Sequence, residues 1–173
     1  SKLLSANVVA QVIGLVVYPI LTRIYSPEDF GLLNLFLSIG NVVLVISLAD
    51  YYYSIVLPKE DKDAAALAHV SLVSLIVTVL LLTVSILFAH PISALFKSPK
   101  LETYYWLLPI YVFCMGGWNI LNYWYIRHKQ FGRISGYQIS QSVLSATGKL
   151  GFGYANVLSA GMIYSVVIAP VIS

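Results

Sequence analysis

The residues of this sequence with the clearest capacity for chemistry lie on one face of its last long stretch of few charges. Gln138, Gln141, Ser142, Ser145 and Lys149 recur at the spacing of one side of a helix. Together they offer amide and hydroxyl hydrogen bonds and one positive charge. A polar face is costly against lipid, so we expect Lys149 to face a water-filled cavity. The alternative is that the side chain snorkels to the far interface.

Three earlier stretches carry similar polar faces. On the first, Gln11 and Asn7 line up with Tyr18 and Thr22, with Gly14 beside them, and we expect this face to line a cavity. For the second and third stretches, hydrogen bonding between packed helices is the favoured interpretation. Their polar residues are Asn34, Ser38 and Asn41 on the second, and Ser71, Ser74, Thr78 and Ser85 on the third.

The sequence contains no pattern typical of catalysis or of a metal site. His69, His90 and His128 are far apart, and none has a further ligand at metal-binding spacing. We therefore expect no metal, no cofactor and no enzymatic activity. Glu28 and Asp29 follow Ser26 and Pro27, an order that predicts a helix start with an acidic capping residue. A catalytic role for these two carboxylates remains the alternative.

The elements that must position these residues are long runs without charge. Hydrophobic residues make up 59% of the 173 residues and charged residues only 10%, against about 25% in soluble domains. About 20 apolar residues cross a bilayer as a helix. We predict an all-α membrane protein, a single bundle of five spans and an incomplete sixth. The spans are residues 3–22, 30–57, 64–89, 103–126, 135–154 and 162–173.

The distribution of basic residues predicts the orientation. Six Lys and Arg residues fall in the links on the side of the N-terminus and three on the other side. The excess places the N-terminus in the cytoplasm. Because these bases never form a run, binding of nucleic acid is not expected.

Four segments resemble polysaccharide-biosynthesis membrane proteins, the Wzx-type flippases of the MATE-like superfamily. They are Leu21–Gly31, the Ile55–Asp61 link leading into Ala64–Ala66, the Trp124–Arg127 end of span four, and Gly148–Gly151. The resemblance implies the N-terminal half of a protein of 12 to 14 spans, whose two bundles surround a polar cavity. Arg23 lies where related lipid flippases carry a cavity arginine. Many members carry Arg-Tyr-Glu where this chain has Asp50-Tyr51-Tyr52, so a role of that charge pair is in doubt.

The resemblance implies a flippase of the bacterial inner membrane. Such proteins move undecaprenyl-pyrophosphate-linked oligosaccharides to the outer leaflet for O-antigen or capsule synthesis. The implied partners are this lipid-linked oligosaccharide, membrane lipid and the C-terminal half of the bundle. We expect the 173 residues alone not to transport. The predicted substrate path consists of Lys149, Arg23, Asn7, Gln11, Gln138, Gln141, Ser145, Asn34 and Asn41.

Three alternatives remain open. A MATE-type exporter of drugs or cations would need a buried carboxylate, for which Asp50 is the candidate. A multispan glycosyltransferase or polymerase would use Glu28 and Asp29. A truncated half protein would have no activity.

Overall fold

A computed structural model describes residues 2–48, 51–155 and 158–173, and this part of the chain is helical without a β-strand. The long helices are α1 (Lys2–Ile24), α2 (Pro27–Leu48), α3 (Asp61–Val84), α6 (Leu107–Arg127), α7 (Phe131–Tyr154) and α8 (Leu158–Ile172). The short ones are α4 (Ala89–Leu95), α5 (Pro99–Tyr104) and two 3₁₀ helices, Tyr51–Val56 and Ser85–Phe88. Side chains of residues 2–7, 48 and 158–159 are not described. The all-α prediction is confirmed.

The chain forms two compact units. The first unit comprises Ser1–Phe36 with Phe131–Ser173, and the second comprises Leu37–Gln130. In the first unit, α7 packs against both α1 and α8. In the second, α3 packs against α6, and the 3₁₀ helix Tyr51–Val56 packs against both.

Close approach at glycines holds the first unit together. A β-carbon added at Gly148 would lie 2.8 Å from the Cβ of Ser165 on α8, and one added at Gly153 would lie 2.7 Å from Ile24 on α1. Such short approaches require a residue without a side chain. Gly148 and Gly153 therefore allow α7 to pack closely, whereas an added β-carbon at Gly151 meets nothing within 4 Å.

The predicted helix start before span two is confirmed as a capping box. The Asp29 carboxylate accepts from the Ser26 amide at 2.9 Å and from the Ser26 hydroxyl at 2.8 Å. The Asp29 amide donates back to the Ser26 hydroxyl oxygen at 3.3 Å. This reciprocal pairing satisfies backbone donors that the first turn of α2 would leave open. Ser98 precedes Pro99 in the same way but makes no side-chain capping bond.

Helix boundaries differ from the predicted spans at several places, and α7 and α8 each begin four residues earlier than predicted. The second span was drawn to Leu57, yet α2 ends at Leu48 and Tyr51–Val56 is a 3₁₀ helix. The third span continues past residue 89 through α4 to Leu95, and the fourth is divided between α5 and α6 near Tyr105. A count of uncharged residues cannot detect these changes because the apolar composition continues through them.

Two helical stretches of the described residues are long and apolar enough to cross a membrane by length and composition. They are Pro27–Ser47 and Asp61–Leu95, with mean hydropathies of 2.0 and 2.8. The described part of α1, Val8–Ile24, and Ala160–Ile172 of α8 are apolar but shorter. Helix α7 is the least apolar of the long helices because it carries the polar face of Gln138 to Lys149.

We predict that Gly148→Ala lowers stability and that Gly151→Ala does not. The new methyl group at position 148 would overpack against Ser165, at a cost of about 1–3 kcal/mol. At position 151 the methyl group is accommodated, and alanine favours the helix by up to about 1 kcal/mol. Thermal unfolding of the purified chain in detergent measures both. Equal melting temperatures for the two variants would contradict this packing of α7 on α8.

Candidate functional site

The polar face of α7 lines a cavity within the first unit. Its volume is about 320 Å³, and α1, α7 and α8 all contribute to its wall. The polar or small lining residues are Gly14 and Tyr18 of α1 with Gln141, Ser142, Ser145 and Lys149 of α7. The apolar lining residues are Ala10, Ile13, Val17, Leu21, Ala146, Val166 and Ala169. The cavity is therefore polar mainly on its α7 side.

Lys149 supplies the charge of this cavity. Its ammonium group makes no hydrogen bond and no ion pair with any residue in the described ranges. A partly buried cation without a counter-charge is energetically costly, and the cost falls when water or an anion reaches it. Because Lys149 lines this cavity, its position is the one expected for a side chain that faces the cavity and not for one that snorkels to the interface. The lining also contains no carboxylate, so an anionic ligand would meet no repulsion from it.

Tyr25 fixes the backbone that carries Lys149. This tyrosine is only 3% exposed, and its hydroxyl donates to the Lys149 carbonyl oxygen at 2.6 Å. Burial, and secondly the Asp29 carboxylate, raises the pKa of the Tyr25 phenol. The phenol therefore stays protonated and remains a donor. This bond ties the end of α1 to α7 at the level of the cavity.

Gly14 leaves room on the opposite wall. A β-carbon added there meets nothing within 4 Å, so this turn of α1 contributes open space to the cavity. The predicted faces of spans one and five thus meet, at Gly14 and Tyr18 on one side and at Gln141, Ser145 and Lys149 on the other.

Several predicted path residues lie outside this cavity. The Gln138 side-chain oxygen is buried without a hydrogen-bond partner but does not line the cavity. Gln11 lines an open groove of about 620 Å³ with Gly14, Leu15, Tyr18 and Pro19. Arg23 lines a third space and not the cavity of Lys149, so the structure does not bring the two cations together. The side chain of Asn7 and residue Asp50 lie outside the described residues.

The polar groups of spans two and three bond within the second unit, as the packing interpretation predicted. The Tyr111 hydroxyl donates to the Asn41 side-chain oxygen at 3.3 Å, and the Ser74 hydroxyl donates to the Ser47 carbonyl. Ser71 and Thr78 bond to carbonyls of their own helix. Asn34 is exposed on the part of α2 that belongs to the first unit.

Sequence reasoning missed the structural role of Arg127. Its guanidinium donates to the carbonyl oxygens of Ile55 at 3.2 Å, Pro58 at 2.6 Å and Lys59 at 3.4 Å. It also pairs with Asp61 at 2.9 Å, and its side chain is only 11% exposed. The arginine therefore joins the end of α6 to the 3₁₀ helix and the start of α3. In the sequence it was considered only as a basic residue of a link and as part of the Trp124–Arg127 resemblance.

The described ranges contain no cluster of side chains typical of a metal site. They contain no group of three or more His, Cys, Asp and Glu side chains that could hold a metal ion. His90 and Glu102 pair at 3.0 Å, but both are exposed.

The all-helical fold with its apolar helices indicates a class, the helical membrane proteins. Within it, the chain belongs to the polysaccharide biosynthesis protein family, whose model matches residues 20–173. This match confirms the resemblance drawn from the sequence and indicates a role in polysaccharide biosynthesis. Searches of curated proteins and of solved structures found no match for the chain.

We predict that Arg127→Lys destabilises the second unit. A lysine cannot reproduce the planar fork that reaches three carbonyls and a carboxylate, and buried carbonyls left without donors cost about 1–3 kcal/mol. The melting temperature in detergent should fall well below that of Lys62→Ala, which removes an exposed cation of the same region. If Arg127→Lys melts with the control, the contacts of Arg127 contribute little to stability.

Proposed function

We propose that the chain forms one bundle of a flippase for lipid-linked oligosaccharides. The substrate is an undecaprenyl-pyrophosphate-linked glycan of O-antigen or capsule synthesis, moved across the bacterial cytoplasmic membrane without a chemical reaction. The observation that carries this proposal is the Lys149 cavity. Its ammonium group has no partner among the described residues and lies beside amide and hydroxyl side chains in a wall whose lining includes no carboxylate.

Each part of such a substrate matches a part of the cavity. The pyrophosphate supplies the counter-charge that Lys149 lacks, and a charge-assisted hydrogen bond is the strongest contact available to it. Gln141, Ser142 and Ser145 offer donors and acceptors to sugar hydroxyls. Binding the anionic end of the substrate removes the cost of the isolated cation, which favours entry of the head group from water.

A second bundle completes the proposed transporter. A bundle from the C-terminal half would supply the other wall and allow the cavity to open to either side in turn. The lipid tail would remain in the bilayer. In this proposal the protein is multipass with its N-terminus in the cytoplasm.

The contacts of Arg127 support the order of the hairpins on which this orientation rests. They place the Pro58–Asp61 link and the end of α6 together in the second unit. Both segments were predicted on the same side of the membrane. In the proposed orientation, the basic residues of both segments lie on the cytoplasmic side, in agreement with the positive-inside rule.

The alternatives receive less support from the described residues. A cation exporter needs a carboxylate in its binding site, and the lining residues of the Lys149 cavity include none. A glycosyltransferase would need a catalytic carboxylate, whereas Asp29 is 4% exposed and bonded to Ser26.

We predict that Lys149→Ala in the full-length protein abolishes or sharply reduces polysaccharide export. Lys149→Arg should retain part of the activity because it keeps the charge but changes the reach of the side chain. Polymer on the surface of cells lacking their own flippase measures export, with membrane protein levels determined in parallel. The matched control is Lys97→Ala, an exposed cation of another link. Normal export by Lys149→Ala would exclude a cationic substrate site in this cavity.

The proposed topology predicts opposite labelling of two exposed positions. In a Cys114→Ser background, a cysteine at Lys100 should react with an impermeant thiol reagent on intact cells, and one at Lys59 should react only after lysis. Both positions are exposed and lie outside the long helices. The reverse pattern would place the N-terminus outside.

A further inference from the structure

Arg23 lines a groove of its own at the end of α1. This groove, called the Arg23 groove, is formed by Pro19, Ile20, Arg23, Ile24 and Tyr154, and its volume is about 400 Å³. It shares no residue with the cavity of Lys149. The Arg23 guanidinium therefore lines a different space from the Lys149 ammonium group.

The Arg23 guanidinium is available for an anion. It is exposed, and across the described part of the chain it makes no hydrogen bond or ion pair. Two acidic residues follow it in sequence, Glu28 and Asp29, and the Asp29 carboxylate is bonded to Ser26. A guanidinium is planar and matches two oxygens of a phosphate at once.

Apolar surface continues from this groove along α1. Ile20 is 40% exposed, Leu15 is 74% exposed and Tyr154 is 75% exposed. Through Pro19 the groove adjoins the open groove of Gln11, Gly14, Leu15 and Tyr18. The thirteen residues from Gln11 to Arg23 rise about 18 Å along the helix. One leaflet of the hydrocarbon core is about 15 Å deep, so an acyl chain fits this length.

We propose that the Arg23 groove binds an anionic phospholipid of the bilayer. The phosphate of the head group pairs with Arg23, and one acyl chain lies along Pro19 and Leu15 on α1, with Ile20 beside it. Tyr154 contributes an aromatic ring at the level of the head group, where tyrosines are enriched in membrane proteins. The inference assigns Arg23 to a structural lipid and not to the transported substrate, and it holds whether or not the protein is a flippase.

Native mass spectrometry of the purified chain tests this proposal. The chain is incubated in detergent with equal amounts of phosphatidylglycerol and phosphatidylcholine of the same acyl composition. We expect retention of phosphatidylglycerol. Arg23→Gln should lower that retention about tenfold, the factor that corresponds to losing one charge-assisted contact. Lys97→Gln, which removes an exposed cation elsewhere, should retain the lipid like the parent chain.

Further variants test the two halves of the site. Arg23→Lys should keep part of the retention, and Ile20→Ser should weaken binding of long-chain lipid more than Val42→Ser, a matched exposed residue of α2. Circular dichroism confirms that each variant is folded. Equal retention of both lipids, or equal loss in Arg23→Gln and Lys97→Gln, would overturn the proposal. So would displacement of the lipid by millimolar inorganic phosphate, or a dimer that Ile20→Ser dissociates, since these identify free phosphate or a second copy as the occupant.

Discussion

The close contact of α1 with α7 is the interaction on which the candidate site depends. It combines the approach of Gly153 to Ile24 with the hydrogen bond from Tyr25 to the Lys149 carbonyl. The bond uses the backbone and not the ammonium group, so it fixes the position of Lys149 while leaving the charge available. Without this contact, the polar face of α7 would have no opposite wall in the first unit, and its amides and hydroxyls would face lipid.

The polar residues of the two units have different surroundings. In the second unit, polar groups such as Asn41 and Ser74 are used in hydrogen bonds between helices. Arg127 is likewise used in bonds to backbone carbonyls. In the first unit, Lys149 lines an open cavity with its charge unpaired. In the proposed function, the second unit therefore serves as a scaffold and the first unit binds the substrate.

Much of this arrangement was predictable from periodicity and charge. The helical face from Gln141 to Lys149 and the capping box at Ser26 depend on residues close in sequence, and both are present. The bonds of Arg127 could not be predicted because its partners are carbonyl oxygens about 70 residues away, which carry no side-chain signal. The separation of Arg23 from the Lys149 cavity could not be predicted for a related reason. This separation depends on which side of α1 each neighbour occupies, and a single helix pattern does not determine this.

Pro19 lies inside α1 and has a mechanical consequence for the cavity. Because proline has no backbone N–H group, Pro19 cannot donate a hydrogen bond to the Leu15 carbonyl oxygen. The helix therefore lacks one backbone hydrogen bond and is easier to bend at this turn. Gly14 and Tyr18 precede this weak point, whereas Leu21 follows it, and all three line the cavity. Because Tyr25 anchors the C-terminal end of α1 to α7, bending at Pro19 would move the longer N-terminal arm. The part of α1 that lines the cavity therefore includes the turn at which this helix is easiest to bend.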